Sequence, residues 1–189
     1  MSVIVAIKDD DKVIMACDTR MSNDYGYEDS YNSRPKAIIV KKGILVGVSG
    51  CLGVLDIIST SLKDYLSENM SRIDIAFKFI PALREKLENT CLLDSDGYMG
   101  SSILIATRNK IYEICGNFDV SEKDEYGAIG IGKNCALGSL YTSKGTSSSQ
   151  ITRVYYAVKS AGNFMLGVSP EVFVASTKDN NFHRMDLGE

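Results

Sequence analysis

Two short runs near the start, Val3-Ile4-Val5-Ala6-Ile7 and Val13-Ile14-Met15-Ala16-Cys17, are apolar at every position and rich in β-branched residues. A strand turns alternate side chains to opposite faces, so a strand with no polar face must be covered on both sides. Lys8-Asp9-Asp10-Asp11-Lys12 between the runs reads as the turn of a hairpin. The chain therefore needs a sheet buried between other layers, and the remaining pattern has to supply them.

A polar stretch from Thr19 to Pro35 comes next, long for a loop in a compact domain, and such loops are often functional. Lys36 to Val40 and Ile44 to Val48 form a second hairpin around Lys42-Gly43. The period then changes: Leu52, Leu55, Ile58, Leu62 and Leu66 mark an amphipathic helix. Ser71 with Asp74 has the form of a capping box for a second helix, which Pro81 should kink or split. Strands are expected over 102–107 and 110–115, and again from Tyr126 to Ile131. Helices are expected over about 133–141 and 151–165, and a closing hairpin pairs 171–177 with 182–187. Strands alternating with helix pairs do not suit a doubly wound parallel sheet. They suit sheets layered between helices, in one domain spanning residues 1–189.

With 44% hydrophobic and 24% charged residues, the chain reads as an ordinary globular protein. Its net charge of −3 and the lack of any Lys/Arg stripe give no support to a nucleic-acid or anionic-membrane partner. No run approaches the roughly 20 apolar residues of a membrane span, and no basic leader opens the chain, so a cytoplasmic location is expected. The five cysteines are scattered without a C-x-x-C pair and there is one histidine, His183. No metal site or cofactor is expected from them, and most read as small buried hydrophobes of a reducing compartment.

Three residues stand out together: Ser2 beside Met1, Asp18 at the end of the second run, and Lys36 at the start of the third. The stretch from Ser2 through Ala16-Cys17-Asp18-Thr19-Arg20 to Arg34-Pro35-Lys36 resembles the opening of a proteasome β-type subunit. In that family a mature N-terminal Thr precedes a hydrophobic hairpin, with an Asp and then a Lys at set distances. Asp18 falls at the expected distance from Ser2, and Lys36 comes slightly late, as a longer loop would cause. Ile44-Leu45-Val46-Gly47-Val48-Ser49-Gly50 resembles the family's strand into its first long helix, and Tyr126 to Gly132 its strand before the third helix.

The resemblance implies an N-terminal-nucleophile hydrolase fold, an α+β four-layer αββα sandwich of two antiparallel sheets between helical layers. It implies that Ser2, Asp18, Lys36 and, as oxyanion donor, Gly47 are catalytic, and that Met21, Leu45 and Ser49 line a substrate pocket. It also implies a homo-oligomeric ring or stacked ring acting on unfolded polypeptide or peptides, in some branches fed by an ATP-dependent unfoldase. The chemistry is self-consistent: with Met1 removed, as aminopeptidases allow before a small residue, Ser2 carries an α-amine with an ordinary pKa of about 7.7–8.0. That amine can act as base for the hydroxyl, with Lys36 supplying positive charge and Asp18 orienting it.

The departures are a Ser in place of Thr, Ile131 and Lys133 in the stretch where active members often place a hydroxyl, and no Asp near the end of the last helix, where Asn163 and Ser169 stand. Three readings follow: a proteasome-like peptidase, a silent subunit of the same fold with an assembly role, and a small-molecule amidase of the same superfamily. Retention of Ser2, Asp18 and Lys36 together favours the first.

Overall fold

The computed structural model describes residues 2–22, 29–31 and 35–188. Strands β1 (Ile4–Asp9) and β2 (Lys12–Cys17) form the expected hairpin. Between β2 and the next hairpin lie the short strands β3 (Arg20–Ser22) and β4 (Asp29–Tyr31), paired with each other where a loop is expected. Strands β5 (Ala37–Lys41) and β6 (Ile44–Ser49) follow, then the helical stretch that begins with α1 (Gly53–Ile57). Helices α2 (Arg72–Asp74) and α3 (Ile80–Asn89) lead into β7 (Ser102–Ala106), β8 (Ile111–Ile114), β9 (Val120–Lys123) and β10 (Tyr126–Ile129). Helices α4 (Lys133–Thr142) and α5 (Gln150–Phe164) precede β11 (Val172–Ser176) and β12 (His183–Met185).

The strands make two five-stranded antiparallel sheets, ordered β10-β1-β2-β11-β12 and β5-β6-β7-β8-β9. Period-two alternation sorts their side chains into three apolar layers. Val3, Val5 and Ile7 pack with α4 and α5, while Ile4 and Ala6 face the other sheet together with Met15, Leu45, Leu104 and Ile111. On the second sheet Ile44, Val46 and Val48 turn the other way, onto the helices around α1 and α3. The result is helices, sheet, sheet, helices, an α+β four-layer sandwich, and it explains why β1 and β2 have no polar face.

The Ser71 capping box is present: its hydroxyl accepts from the Asp74 amide at 3.1 Å, and the Ser71 amide donates to Asp74 Oδ2 at 2.9 Å. Pro81 does not split the helix. A π-helical turn, Ile75–Phe79, sits between α2 and α3, and this wider turn stands where the proline, lacking an N–H, would break the ladder. Strand β9, of sequence VSEK, is polar and half exposed, so no hydrophobic period announces it. The cysteines correct another expectation. Cys17 is buried, but Cys51 and Cys91 are exposed, and all five are free thiols. Among the described residues no helix is long and apolar enough to cross a membrane.

Candidate active site

Asp18 follows directly on β2 and is wholly buried. Its carboxylate collects donors from four separate segments. Val3 N–H donates to Oδ1 at 3.0 Å, Arg20 N–H to Oδ2 at 3.1 Å, and Ser169 N–H to Oδ2 at 3.2 Å. Lys36 Nζ reaches both oxygens, at 3.2 and 3.1 Å. Lys36, just ahead of β5, is itself only 3% exposed. Removing two charges from water is costly, and the attraction between them repays this only when further hydrogen bonds satisfy them, as the three amides do here. Burial pushes the Lys36 ammonium below the ordinary lysine value, while the charge and hydrogen bonds of Asp18 oppose the fall. The adjacent Cys17 thiol is pushed up to about 12, by burial first and then by the Asp18 charge, which leaves it inert as a nucleophile.

Ser2 precedes the residue whose amide Asp18 holds, and it is 3% exposed. Its carbonyl accepts from Gly132 N–H at 3.2 Å. Gly130, with φ +95°, lies so close that a Cβ there would stand 2.2 Å from the Ser2 carbonyl oxygen and 3.0 Å from Ser49 Oγ. Only glycine fits such a turn. The turn after β10 thus touches Ser2 from one side while Asp18 holds Val3 on the other. The arrangement brings Asp18 and Lys36 into one buried network that reaches the Val3 amide next to Ser2, together with the Ser169 amide, whose neighbourhood the sequence flagged only as the place where an Asp was missing.

Two predicted site residues are placed elsewhere. Gly47 lies inside β6, opposite Ala37 in β5 and Leu104 in β7. Val48 N–H donates to Lys36 C=O on the β5 side, so strand alternation turns the Gly47 amide toward β7 and into the ladder. The residue is a glycine for another reason: a Cβ would stand 2.6 Å from Ile4 Cγ2, in the gap between the sheets. Gly47 is therefore a packing glycine and not an oxyanion donor. Leu45 is wholly buried in the layer between the sheets and offers no surface to a substrate. Ser49, at the end of β6, does face a cleft, lined also by Gly50, Met99, Ser101 and Ile131. The backbone of Met21 belongs to β3, and its side chain lies outside the described residues. His183 is exposed in the edge strand β12, away from this network. Among the described residues no group of His, Cys, Asp and Glu could hold a metal ion.

The family model described as proteasome subunit matches residues 2–162. No curated protein matches the sequence. Among solved structures, the chain is similar to Thiobacillus denitrificans BPH, with a TM-score of 0.75 and 21% identity over 92% of this chain and 96% of that one. The same protein in complex with epoxomicin matches at a TM-score of 0.75 and 20% identity, covering 92% and 97%. HslV from Trypanosoma brucei matches at 0.69 and 15%, covering 92% and 98%.

Proposed function

Because the chain belongs to the proteasome subunit family, we propose that it is a peptidase whose nucleophile is the Ser2 hydroxyl. The observation that carries this is the buried Asp18–Lys36 pair, which reaches the backbone next to Ser2 through the Val3 amide. After loss of Met1, the Ser2 α-amine takes the hydroxyl proton as Oγ attacks the peptide carbonyl. The resulting tetrahedral intermediate collapses as the amine returns its proton to the leaving nitrogen, and an acyl-ester on Ser2 remains. Water, activated by the same amine, then hydrolyses the ester. Lys36 contributes fixed positive charge, lowering the energy of the alkoxide, and Asp18 keeps the ammonium in place. Gly47 being committed to the ladder, the oxyanion donor falls to an amide beyond the paired end of β6, where Gly50, with φ +117°, is the first residue. Loss of one such donor typically costs about 10²–10³ in rate.

The substrates are peptides or unfolded polypeptide, reached inside an oligomeric ring, and an ATP-dependent unfoldase is the natural supplier of extended chain. A second reading, a silent subunit serving assembly, draws on the 3% exposure of Ser2 and on Ile131 beside it. Intact mass after incubation with an epoxyketone separates the two, since that warhead needs an N-terminal hydroxyl and a free amine on one residue. The peptidase reading expects Met1 absent and one adduct per chain, abolished in Ser2→Ala. A chain that keeps Met1, or loses it and stays unmodified, makes the silent subunit the better reading.

A further inference from the structure

The one carboxylate buried between the sheets away from Asp18 is Glu113, among the described residues. It lies on β8 with Ile111, on the face turned toward the other sheet, where its neighbours in register are Leu104 and Ser121. Such a position asks for an apolar residue, and a charge there persists only if it is paired. It has two partners: Lys123 Nζ at 2.7 Å on Oε2 and Lys133 Nζ at 2.7 Å on Oε1. Burial by itself would raise the Glu113 pKa, but hydrogen bonds and charge from the two lysines outweigh it and hold the carboxyl below its ordinary value.

The two lysines come from opposite sides of the sandwich: one from a strand of Glu113's own sheet, the other from a helix packed on the other sheet. Lys123 belongs to β9, on the same sheet as Glu113. Lys133 is the first residue of α4, immediately after the Gly130-Ile131-Gly132 turn of the other sheet. A cation at a helix N-terminus is opposed by the helix dipole, so the sequence alone marks Lys133 as misplaced. The Glu113 carboxylate, delivered to that terminus from across the sandwich, removes the conflict. It also ties down the turn whose Gly132 amide holds the Ser2 carbonyl and whose Gly130 packs against it. Lys133 N–H donates to Gly130 C=O at 3.1 Å, so the backbone that carries the ammonium is itself part of the turn.

We propose that Glu113 is a positioning residue for Ser2: through Lys133 it fixes the Gly130–Gly132 turn against the Ser2 carbonyl and so sets the place of the nucleophile. The catalytic half of this inference rests on the Ser2 reading above, and the positioning half does not. The stretch read from the sequence as having lost a hydroxyl helper thus carries an ionic tether instead.

The test is amide hydrogen exchange on the full chain, comparing wild type with Lys133→Met, Glu113→Gln, Lys133→Arg and, as control, Lys144→Met. Lys144, beyond the end of α4, makes an ion pair of the same 2.7 Å length with Glu125, just ahead of β10 and so at the opposite end of that strand from the turn. In Lys133→Met and Glu113→Gln the Gly132 amide should exchange about tenfold faster, the scale of one charge-assisted hydrogen bond, while the Ala6 amide in β1 is unchanged. Lys133→Arg should restore protection, and Lys144→Met should leave it as in wild type. In the same variants kcat should fall by about tenfold with KM within about twofold, since the loss concerns the nucleophile and not substrate contact. Equal acceleration at Gly132 and Ala6, or none at Gly132, would overturn the proposal. If wild type forms no adduct at Ser2, the peptidase reading fails, and the exchange pattern still decides whether Glu113 positions Ser2.

Discussion

Replacing Asp18 by Asn keeps the volume but removes the charge, and it substitutes a donor for one acceptor. The structure sets the size of the effect. Asn cannot accept at both positions: with its nitrogen at Oδ1 it loses Val3 N–H and one contact from Lys36, and at Oδ2 it loses Arg20 N–H, Ser169 N–H and the other. Either orientation leaves at least one buried amide donor facing another donor, and it takes the carboxylate from a lysine that is 3% exposed. Removing one partner of a buried pair typically costs about 3–5 kcal/mol. For a chain of 189 residues the unfolding entropy is about 0.4 kcal/mol per degree, so Tm should fall by roughly 8–13 °C. Lys36→Met should cost less, because Asp18 keeps its three amide donors. The double variant should lie well above the sum of the two, with a coupling of about 1–3 kcal/mol. Thermal unfolding followed by circular dichroism at one protein concentration reads all three. If Asp18→Asn melts within about 2 °C of wild type, as an ordinary surface substitution would, the buried pair does not carry the stability assigned to it.

Gly130→Ala should destabilise by about 2 kcal/mol or more and abolish epoxyketone labelling of Ser2, because its Cβ would meet the Ser2 carbonyl oxygen at 2.2 Å in a backbone with φ +95°. A stable Gly130→Ala that labels normally would refute the close contact. The Glu113 carboxyl titrates below the 4.5 of the unfolded chain, so its stabilisation is complete above that value and is lost as pH falls through the folded one. Glu113→Gln should therefore flatten the acid limb of the stability–pH curve, and an unchanged slope below pH 4.5 would count against the lysine clamp. With iodoacetamide, mass spectrometry should find Cys51 and Cys91 alkylated first and Cys17 last, since its thiol is buried and its pKa raised to about 12. Early labelling of Cys17 would show that the β2 end opens.

The layered sandwich was legible because its signals are local and repeated. Strands apolar on both faces demand two coverings, and the leucine stripe after Ser49 and the Ser71–Asp74 box are read within a few residues of themselves. Asp18 and Lys36 were legible because a recognised spacing linked them, and the ion pair at 3.1 Å places them together. Gly47 was misread because a glycine in a strand has two explanations, a free amide or a missing Cβ. Choosing between them requires knowing that Ile4 of the other sheet stands opposite. Leu45 was misread similarly, since its face depends on which side of β6 turns inward. Glu113 and Lys133 left no signal as a pair: they are 20 residues apart, one in a strand and the other at the start of a helix, and each alone looks like a residue in the wrong place. Polar β9 was missed because its pairing with β8, not its composition, makes it a strand.

The Asp18 network has a consequence for timing. Its donors come from Val3, Arg20, Lys36 and Ser169, so the first and the last of them are separated by most of the chain. Sheet completion has the same property, because β11 pairs directly with β2 and cannot do so until residues 172–176 exist. A chain made from its N-terminus therefore carries Ser2 through nearly all of its synthesis with the surrounding network unfinished. Until the final strands dock, the Asp18 carboxylate lacks its Ser169 donor and β2 lacks its β11 neighbour.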